Sequence, residues 1–87
     1  MGRYAVEVAT SAVKALRDLP RTDQRRVAAR IDALAEDPRP PGVEKLEGAD
    51  DLYRIRAGDY RIVYRIEDKR LLVLVIRIGH RREVYRR

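Results

Sequence analysis

The sequence predicts a single α+β domain in which a two-helix hairpin packs on a mainly antiparallel four-stranded sheet. Three observations predict this class. The chain has 87 residues, the length of one domain. Apolar residues recur with a helical period only between the first strand and residue 36. In the second half of the chain, apolar and polar residues alternate or the residues are continuously apolar, which is typical of strands. The expected element order is β-α-α-β-β-β, with residues 1–87 as one domain.

The first predicted element is a strand over residues 3–8. Its residues alternate, so that Tyr4, Val6 and Val8 share one side. A helix follows, for which Thr10 or Ser11 offers an N-cap hydroxyl and which Pro20 ends.

A second helix completes the predicted hairpin. Thr22 or Asp23 is its expected cap. Its apolar face repeats at helical spacing, and the opposite face carries charges typical of a solvated surface. The residues expected to face the core are Val27, Ala28, Ile31, Leu34 and Ala35.

The second half of the chain predicts the rest of the sheet. The proline-rich segment 37–42 is expected to be a loop, followed by strands over 52–56, 60–66 and 71–78. Gly58 can supply the positive φ that the first hairpin turn needs. Residues 71–78 are nearly all Leu, Val and Ile, which predicts a central strand buried on both faces. Residues 83–85 have the pattern of a further short strand.

Composition excludes several kinds of site. The chain has no cysteine, which rules out disulfides and thiolate zinc sites and fits a reducing cytoplasm. His80 is the only histidine, so a histidine-based metal centre is not expected. The N-terminus lacks the apolar run of a signal peptide, and no stretch approaches the ~20 apolar residues of a membrane span. We expect a cytoplasmic protein with no metal, no cofactor and no membrane association.

The charge is concentrated in the second half of the chain. The formal net charge is +6, and residues 51–87 carry all of it, because residues 1–50 hold nine basic and nine acidic side chains. Seventeen of the twenty basic residues are arginine. A basic surplus favours a polyanion, with nucleic acid the first candidate, and the planar guanidinium suits phosphate. A GC-rich source would also enrich arginine, but it would not concentrate it in one segment.

Alternation predicts that these arginines share one face of the sheet. Arg54 and Arg56 point away from the apolar side of their strand, and Arg61 and Arg65 do the same on the next strand. If both apolar rows face the core, the four guanidinium groups converge on the opposite face. Like charges placed opposite one another cost stability, so the cluster suggests an anionic ligand. The alternative is that this is simply the polar outer face of a half-exposed sheet.

Four segments together resemble the RelE/ParE superfamily of type II toxins, on its RelE side: KLEG (45–48), LYRIR (52–56), GDYRIVY (58–64) and IGHRREVY (78–85). The resemblance covers nearly the whole chain. It implies a metal-independent endoribonuclease that cuts mRNA in the ribosomal A site. In that chemistry the ribose 2′-OH attacks the adjacent phosphate and leaves a 2′,3′-cyclic phosphate and a 5′-OH. Two alternatives stay open: a ParE-like toxin that poisons DNA gyrase by binding, and a basic nucleic-acid-binding protein without toxicity.

The resemblance also implies roles for individual residues. Arg61 matches the arginine that stabilises the transition state, and Arg81 matches the position associated with protonation of the leaving group. Tyr85 matches the aromatic that orients or stacks on a base. Arg54 and Arg56 match basic positions near the attacking hydroxyl. The other expected contacts to RNA are Arg65 and Arg82.

The identity of the general base is the main question that these residues raise. Arginine stays protonated at any pH below about 12. Arg54 and Arg56 are therefore expected to hold phosphate rather than accept a proton. His80, with an ordinary pKa near ~6.5, is the expected base. The alternative is that His80 is a strand-end residue with no proton role.

The resemblance implies partners as well. It predicts a cognate RelB-like antitoxin, in a heterotetrameric or higher complex, together with mRNA in the A site and ribosomal RNA. An exposed basic face would make part of the antitoxin affinity sensitive to salt.

Overall fold

The computed structural model describes residues 3–48 and 51–80, and in them two helices lie on one face of a five-stranded mixed sheet. The sheet order is β1-β5-β4-β3-β2, with β1 parallel to β5 and every other pair antiparallel. The α+β class and the predicted order of helices and strands are confirmed. The elements are β1 (Ala5–Val8), α1 (Thr10–Arg17), α2 (Arg21–Ala33), β2 (Glu44–Lys45), β3 (Leu52–Ala57), β4 (Tyr60–Glu67) and β5 (Leu72–His80).

The strand count differs from the prediction of four. The additional strand, β2, is two residues long and pairs antiparallel with β3, so that Glu44 lies opposite Arg54. It follows the proline-rich segment, and two residues cannot display an alternation that a sequence pattern would reveal. The fifth strand therefore forms through tertiary pairing with β3 rather than through its own pattern.

The predicted helix caps are wrong by one to three positions. α1 begins at Thr10 after Ala9, and α2 begins at Arg21 after Pro20, with no side-chain cap at either position. Pro20 does not directly end the first helix, which stops at Arg17. Its φ of −54° and extended ψ of 148° let it lead into the second helix. A proline fits there because its position needs no backbone N–H donor.

The core lies between the helices and one face of the sheet. Val27, Ile31 and Leu34 are buried as predicted, and they pack in the same cluster as alternate residues of β3, β4 and β5. The first strand contributes its predicted row, which is partly buried against this cluster: Tyr4, Val6 and Val8.

A β-bulge in β5 changes which side chains face the core. Tyr64 pairs with Val75 while the preceding Val63 pairs with Arg77, so that Ile76 is an extra residue without a partner on β4. An extra residue shifts the alternation by one position. Val73, Val75 and Ile78 consequently face the core.

The predicted burial of β5 on both faces holds only in part. β5 is an interior strand, since it pairs with β1 and β4. On its outer face Leu72 is buried, but Leu74 is only half-buried and Arg77 is exposed. The outer face of the sheet is therefore open to solvent at this strand.

A polar network fastens the proline-rich loop to the sheet. Arg39 donates two hydrogen bonds to the Asp68 carboxylate, at 3.2 and 2.9 Å, and Tyr4 donates one to the same carboxylate at 2.6 Å. The Arg39 guanidinium also lies over the Tyr53 ring, 5.2 Å from its centroid. Tyr64 donates to the carbonyl oxygen of Pro38 at 2.7 Å. These contacts fix the start of the loop that leads to β2.

The short strand expected over residues 83–85 lies outside the described residues. In the part of the chain that the structure describes, no helix has both the length and the apolar character needed to cross a membrane.

Candidate active site

An open depression on the outer face of the sheet contains three of the predicted arginines. It has a volume of about 260 Å³, and its lining residues come from β3, β4, β2 and the loop before β2: Gly42, Glu44, Arg54, Ile55, Arg56 and Arg61. We call it the arginine pocket. The alternation of β3 and β4 produces this arrangement, because the apolar rows of both strands face the helices and send the arginines to the other side.

Arg61 is the most buried charged residue of the arginine pocket. It is only 4% exposed, and Arg56 lies directly opposite it on β3. Its partner on the other side, in β5, is Gly79, which places no side chain beside it. A buried guanidinium has lost much of its hydration, so its interaction with an anion is stronger than that of an exposed one.

Glu44 is the site residue that the sequence analysis missed. Arg54 Nε donates to its Oε1 at 3.0 Å, and Arg54 Nη2 contacts the same oxygen. This hydrogen bond is the main cause that lowers the pKa of the Glu44 carboxyl, and the nearby charges of Arg61 and Arg56 act in the same direction. The arginine pocket thus contains a carboxylate that is ionised at neutral pH.

Arg65 is on the same face but outside the arginine pocket. Its Nε lies 3.2 Å from Asp51 Oδ2, an ion-pair contact whose geometry is not that of a hydrogen bond. Arg65 is four positions from Arg61 along β4, which corresponds to roughly 13 Å. The predicted cluster of four arginines is therefore a cluster of three.

His80 lies on the opposite face of the sheet from the arginine pocket. It pairs with Tyr60 across β4 and β5, and the two rings meet edge to face with centroids 5.6 Å apart. The bulge at Ile76 puts His80 in the row of Ile78, which faces the helices, whereas uninterrupted alternation from Leu74 would put it with the arginines. The structure therefore does not support His80 as the general base.

Three predicted site residues cannot be placed. Arg81, Arg82 and Tyr85 lie outside the described residues. In sequence they lie one, two and five positions after β5, the strand whose Gly79 is paired with Arg61.

The described residues contain no group of three or more His, Cys, Asp or Glu side chains arranged to hold a metal ion. What they bring together is a set of fixed cations around one carboxylate. Such a set can bind a phosphodiester, stabilise charge that develops on it, and accept a proton.

Comparison with known sequences gives a consistent result. The family described as ParE toxin of type II toxin-antitoxin system, parDE, matches residues 6–85. Toxin RelG of Mycobacterium tuberculosis is 32% identical over 88 residues, which cover 97% of this chain and 98% of the relative. The mRNA interferase toxin RelE of Escherichia coli is 34% identical over 86 residues, which cover 94% of this chain and 90% of the relative.

Solved structures show the same fold. The archaeal RelE-RelB complex from Pyrococcus horikoshii contains a chain that is 37% identical, with a TM-score of 0.82 over 91% of this chain and 96% of that one. The intact RelBE toxin-antitoxin complex of Escherichia coli gives a TM-score of 0.76 at 32% identity, over 88% of this chain and 95% of that one.

Proposed function

Because this chain belongs to the RelE/ParE superfamily of type II toxins, we propose that it is an endoribonuclease that inhibits translation by cutting mRNA in the ribosomal A site. The relatives named mRNA interferase support the enzymatic class. The observation that carries the proposal here is the arginine pocket, in which the nearly buried Arg61 lies beside Arg54 and Arg56.

The arrangement suits cleavage by the substrate's own 2′-hydroxyl. The 2′-oxygen forms a bond to the adjacent phosphorus, the bond from phosphorus to the 5′-oxygen breaks, and a 2′,3′-cyclic phosphate and a 5′-OH result. The 2′-OH proton passes to a base, and the 5′-oxygen takes up a proton. The negative charge that develops on the phosphoryl oxygens is met by Arg61, and Arg54 and Arg56 hold the phosphate in position.

Glu44 takes the role of proton acceptor in this proposal. It is the titratable group of the described arginine pocket that can accept a proton, since the arginines stay protonated. Its lowered pKa keeps it ionised, and its hydrogen bond to Arg54 fixes the carboxylate beside the group that holds the phosphate. His80 does not take this role because its ring contacts Tyr60 on the far face of the sheet.

The remaining roles come from the resemblance and stay proposals. Arg81 supplies the proton or the positive charge at the leaving 5′-oxygen, and Tyr85 orients or stacks on a base. Arg82 binds the RNA backbone nearby. Arg65 contributes only to binding at a distance, because it is outside the pocket and in contact with Asp51.

In this proposal the ribosome supplies the alignment of the RNA that a shallow pocket cannot provide. The arginine pocket is open and about 260 Å³ in volume, which is small for a site that must align a flexible RNA strand unaided. A ribosome that already holds the codon in a fixed conformation removes most of that entropic cost. The proposal therefore includes a cytoplasmic location for the protein.

A RelB-like antitoxin is the proposed protein partner, in a heterotetrameric or higher complex. Support comes from the solved relatives, which include complexes of RelE with RelB. If acidic segments of the antitoxin contact the arginines on the outer face of the sheet, the affinity of the complex should fall as the salt concentration rises.

The deciding experiment compares Arg61→Ala with Arg77→Ala. Both variants lose one arginine from the outer face of the sheet, but Arg77 is exposed on β5 and outside the arginine pocket. Each protein is added to ribosomes programmed with mRNA, and the cuts are mapped by primer extension. We expect Arg61→Ala to lose about 10²–10³ in the cleavage rate, and Arg77→Ala to cut as the wild type does.

Gyrase is the alternative target, favoured by the match to a family described as ParE toxin. Plasmid DNA incubated with gyrase and the toxin separates the two functions. Gyrase-dependent DNA breaks without A-site cuts would replace the RNase proposal. Full cleavage by Arg61→Ala would remove the arginine pocket as the active site.

A further inference from the structure

Two arginines of α2 reach the β3–β4 hairpin from the helix side of the sheet. Arg26 and Arg30 are one helical turn apart, so they share a face of the helix. Arg30 Nε donates a hydrogen bond to the carbonyl oxygen of Arg56 at 3.2 Å. Arg26 lies against the turn so closely that a Cβ at Gly58 would be 2.8 Å from its Nη1. Both therefore lie at the end of the sheet that holds Arg56 and Arg61.

Together these side chains form a row that passes around the edge of the hairpin. Arg61 and Arg56 are on the outer face, and Arg30 and Arg26 follow on the helix side; we call Arg26 and Arg30 the hairpin arginines. The hydrogen bond between Arg30 and the Arg56 backbone links the two halves of the row. Gly58 allows the close approach of Arg26, because its φ of +62° and its missing Cβ leave room for the guanidinium.

The hairpin arginines are available for a ligand. Arg26 is exposed and Arg30 is half-exposed, and neither forms an ion pair with a carboxylate of residues 3–48 or 51–80. The acidic neighbours of the turn are Asp59, which is exposed, and Asp23, whose carboxylate is 3.5 Å from the Tyr60 hydroxyl. Because arginines outnumber these carboxylates around the hairpin, the net charge there is positive.

We propose that an RNA strand bound in the arginine pocket continues around the β3–β4 hairpin and is held through its phosphates by Arg26 and Arg30. This inference rests on the proposed function and adds a binding site for nucleotides that flank the cut. Guanidinium groups that point at a backbone rather than at base edges bind phosphates without reading sequence. The site therefore contributes affinity and direction to the strand, and no base specificity.

The test uses RNA that cannot be cut, with every 2′-OH replaced by 2′-fluoro. One probe is a dinucleotide that fills the arginine pocket, and the other extends it by several nucleotides on both sides. The variant Arg26→Gln/Arg30→Gln is compared with Arg21→Gln/Arg25→Gln, which removes the same charge from exposed positions of the same helix. Glutamine at position 30 keeps a donor for the Arg56 carbonyl. Binding is followed by fluorescence anisotropy at several salt concentrations.

We expect the extended probe to bind the wild type more tightly than the dinucleotide does. Arg26→Gln/Arg30→Gln should remove most of that gain, about tenfold, and should reduce the slope of log affinity against log salt by roughly 1.4, the value for two lost phosphate contacts on a single strand. Arg26→Gln/Arg30→Gln should bind the dinucleotide as tightly as the wild type does. Arg21→Gln/Arg25→Gln should bind both probes as tightly as the wild type does.

Several results would overturn the inference. Equal weakening by both double variants would indicate a general effect of charge, and no weakening by either would leave the hairpin arginines without a role in RNA binding. Weaker antitoxin binding with unchanged RNA binding would assign the hairpin arginines to a protein partner. The proposed function is judged separately, by cleavage with Arg61→Ala on programmed ribosomes. An inactive Arg61→Ala together with unchanged binding of the extended probe by Arg26→Gln/Arg30→Gln would refute only the flanking site.

Discussion

Arg56 and Arg61 lie directly opposite each other on β3 and β4, and Arg61 is 4% exposed. Two like charges at a cross-strand pair repel each other, and burial removes part of the water that would screen them. The ionised carboxylate of Glu44 attracts both charges and offsets part of this repulsion. The arrangement is the one expected where an anion is to be bound.

Replacement of Arg61 by methionine should therefore leave the fold stable while it removes most of the activity. Methionine has similar length without charge, so it removes the repulsion from Arg56 together with the attraction to Glu44, and we expect the free energy of unfolding to change by less than about 1 kcal/mol. Urea unfolding followed by circular dichroism measures the change. Arg77→Met, at an exposed position of β5, is the matched control and should change stability little. A marked loss of stability in Arg61→Met would mean that the charge supports the fold.

Glu44→Gln should lower the cleavage rate by about 10²–10⁴ if Glu44 accepts the proton. The active form of Glu44 is ionised and its pKa is lowered, so wild-type activity should persist down to the ordinary range of glutamate and decline as the pH falls below it. In Glu44→Gln this decline should be absent from the pH profile. Glu47→Gln, an exposed neighbour outside the arginine pocket, serves as control and should keep the wild-type profile.

The Asp68 cluster should make stability depend on pH. The hydrogen bonds from Arg39 and Tyr4 lower the pKa of Asp68, so its stabilising effect is complete above the pKa of the unfolded chain and is lost as the pH falls through the folded value. Asp68→Asn should lower the Tm by a few degrees at neutral pH, and the difference should disappear in acid. Glu67→Gln, which removes the neighbouring carboxylate from its pair with Arg70, is the control. A pH-independent difference would indicate a packing effect.

Leu71 should be replaceable with a gain in stability. It has a φ of +49°, in the left-handed region, and is 41% exposed. Asparagine tolerates this conformation better than leucine, so Leu71→Asn should raise the free energy of unfolding by about 1 kcal/mol. Leu71→Val should lower it, because a β-branched side chain fits the left-handed region poorly. Thermal unfolding of the pair tests the prediction, and equal Tm values for the two variants would contradict it.

Much of the fold and half of the candidate site could be predicted from local patterns. Alternation in β3 and β4 placed Arg54, Arg56 and Arg61 on one face, because side chains in an uninterrupted strand must alternate. The same rule gives the wrong face for His80, because the bulge at Ile76 depends on the pairing of β5 with β4 and leaves no trace in an apolar run.

Contacts between distant segments account for the other differences. Glu44 reaches the arginine pocket because a two-residue strand pairs with β3, and Arg65 is drawn to Asp51, outside that pocket. Neither contact follows from the spacing of residues along the chain. A carboxylate near a row of arginines is the signal that could have pointed to Glu44, since a buried cation in a folded protein usually has an acidic neighbour.

The parallel pairing of β1 with β5 has a consequence for how the protein is made. Tyr4 and Asp68, joined by a hydrogen bond, are 64 positions apart in sequence, and β1 pairs with the last of the described strands. β5 lies between β1 and β4, so β1 cannot join the sheet before β5 is present. Contacts of such long sequence separation form late. A nascent chain therefore cannot complete its sheet, including the pairing of Gly79 with Arg61, until synthesis has passed β5.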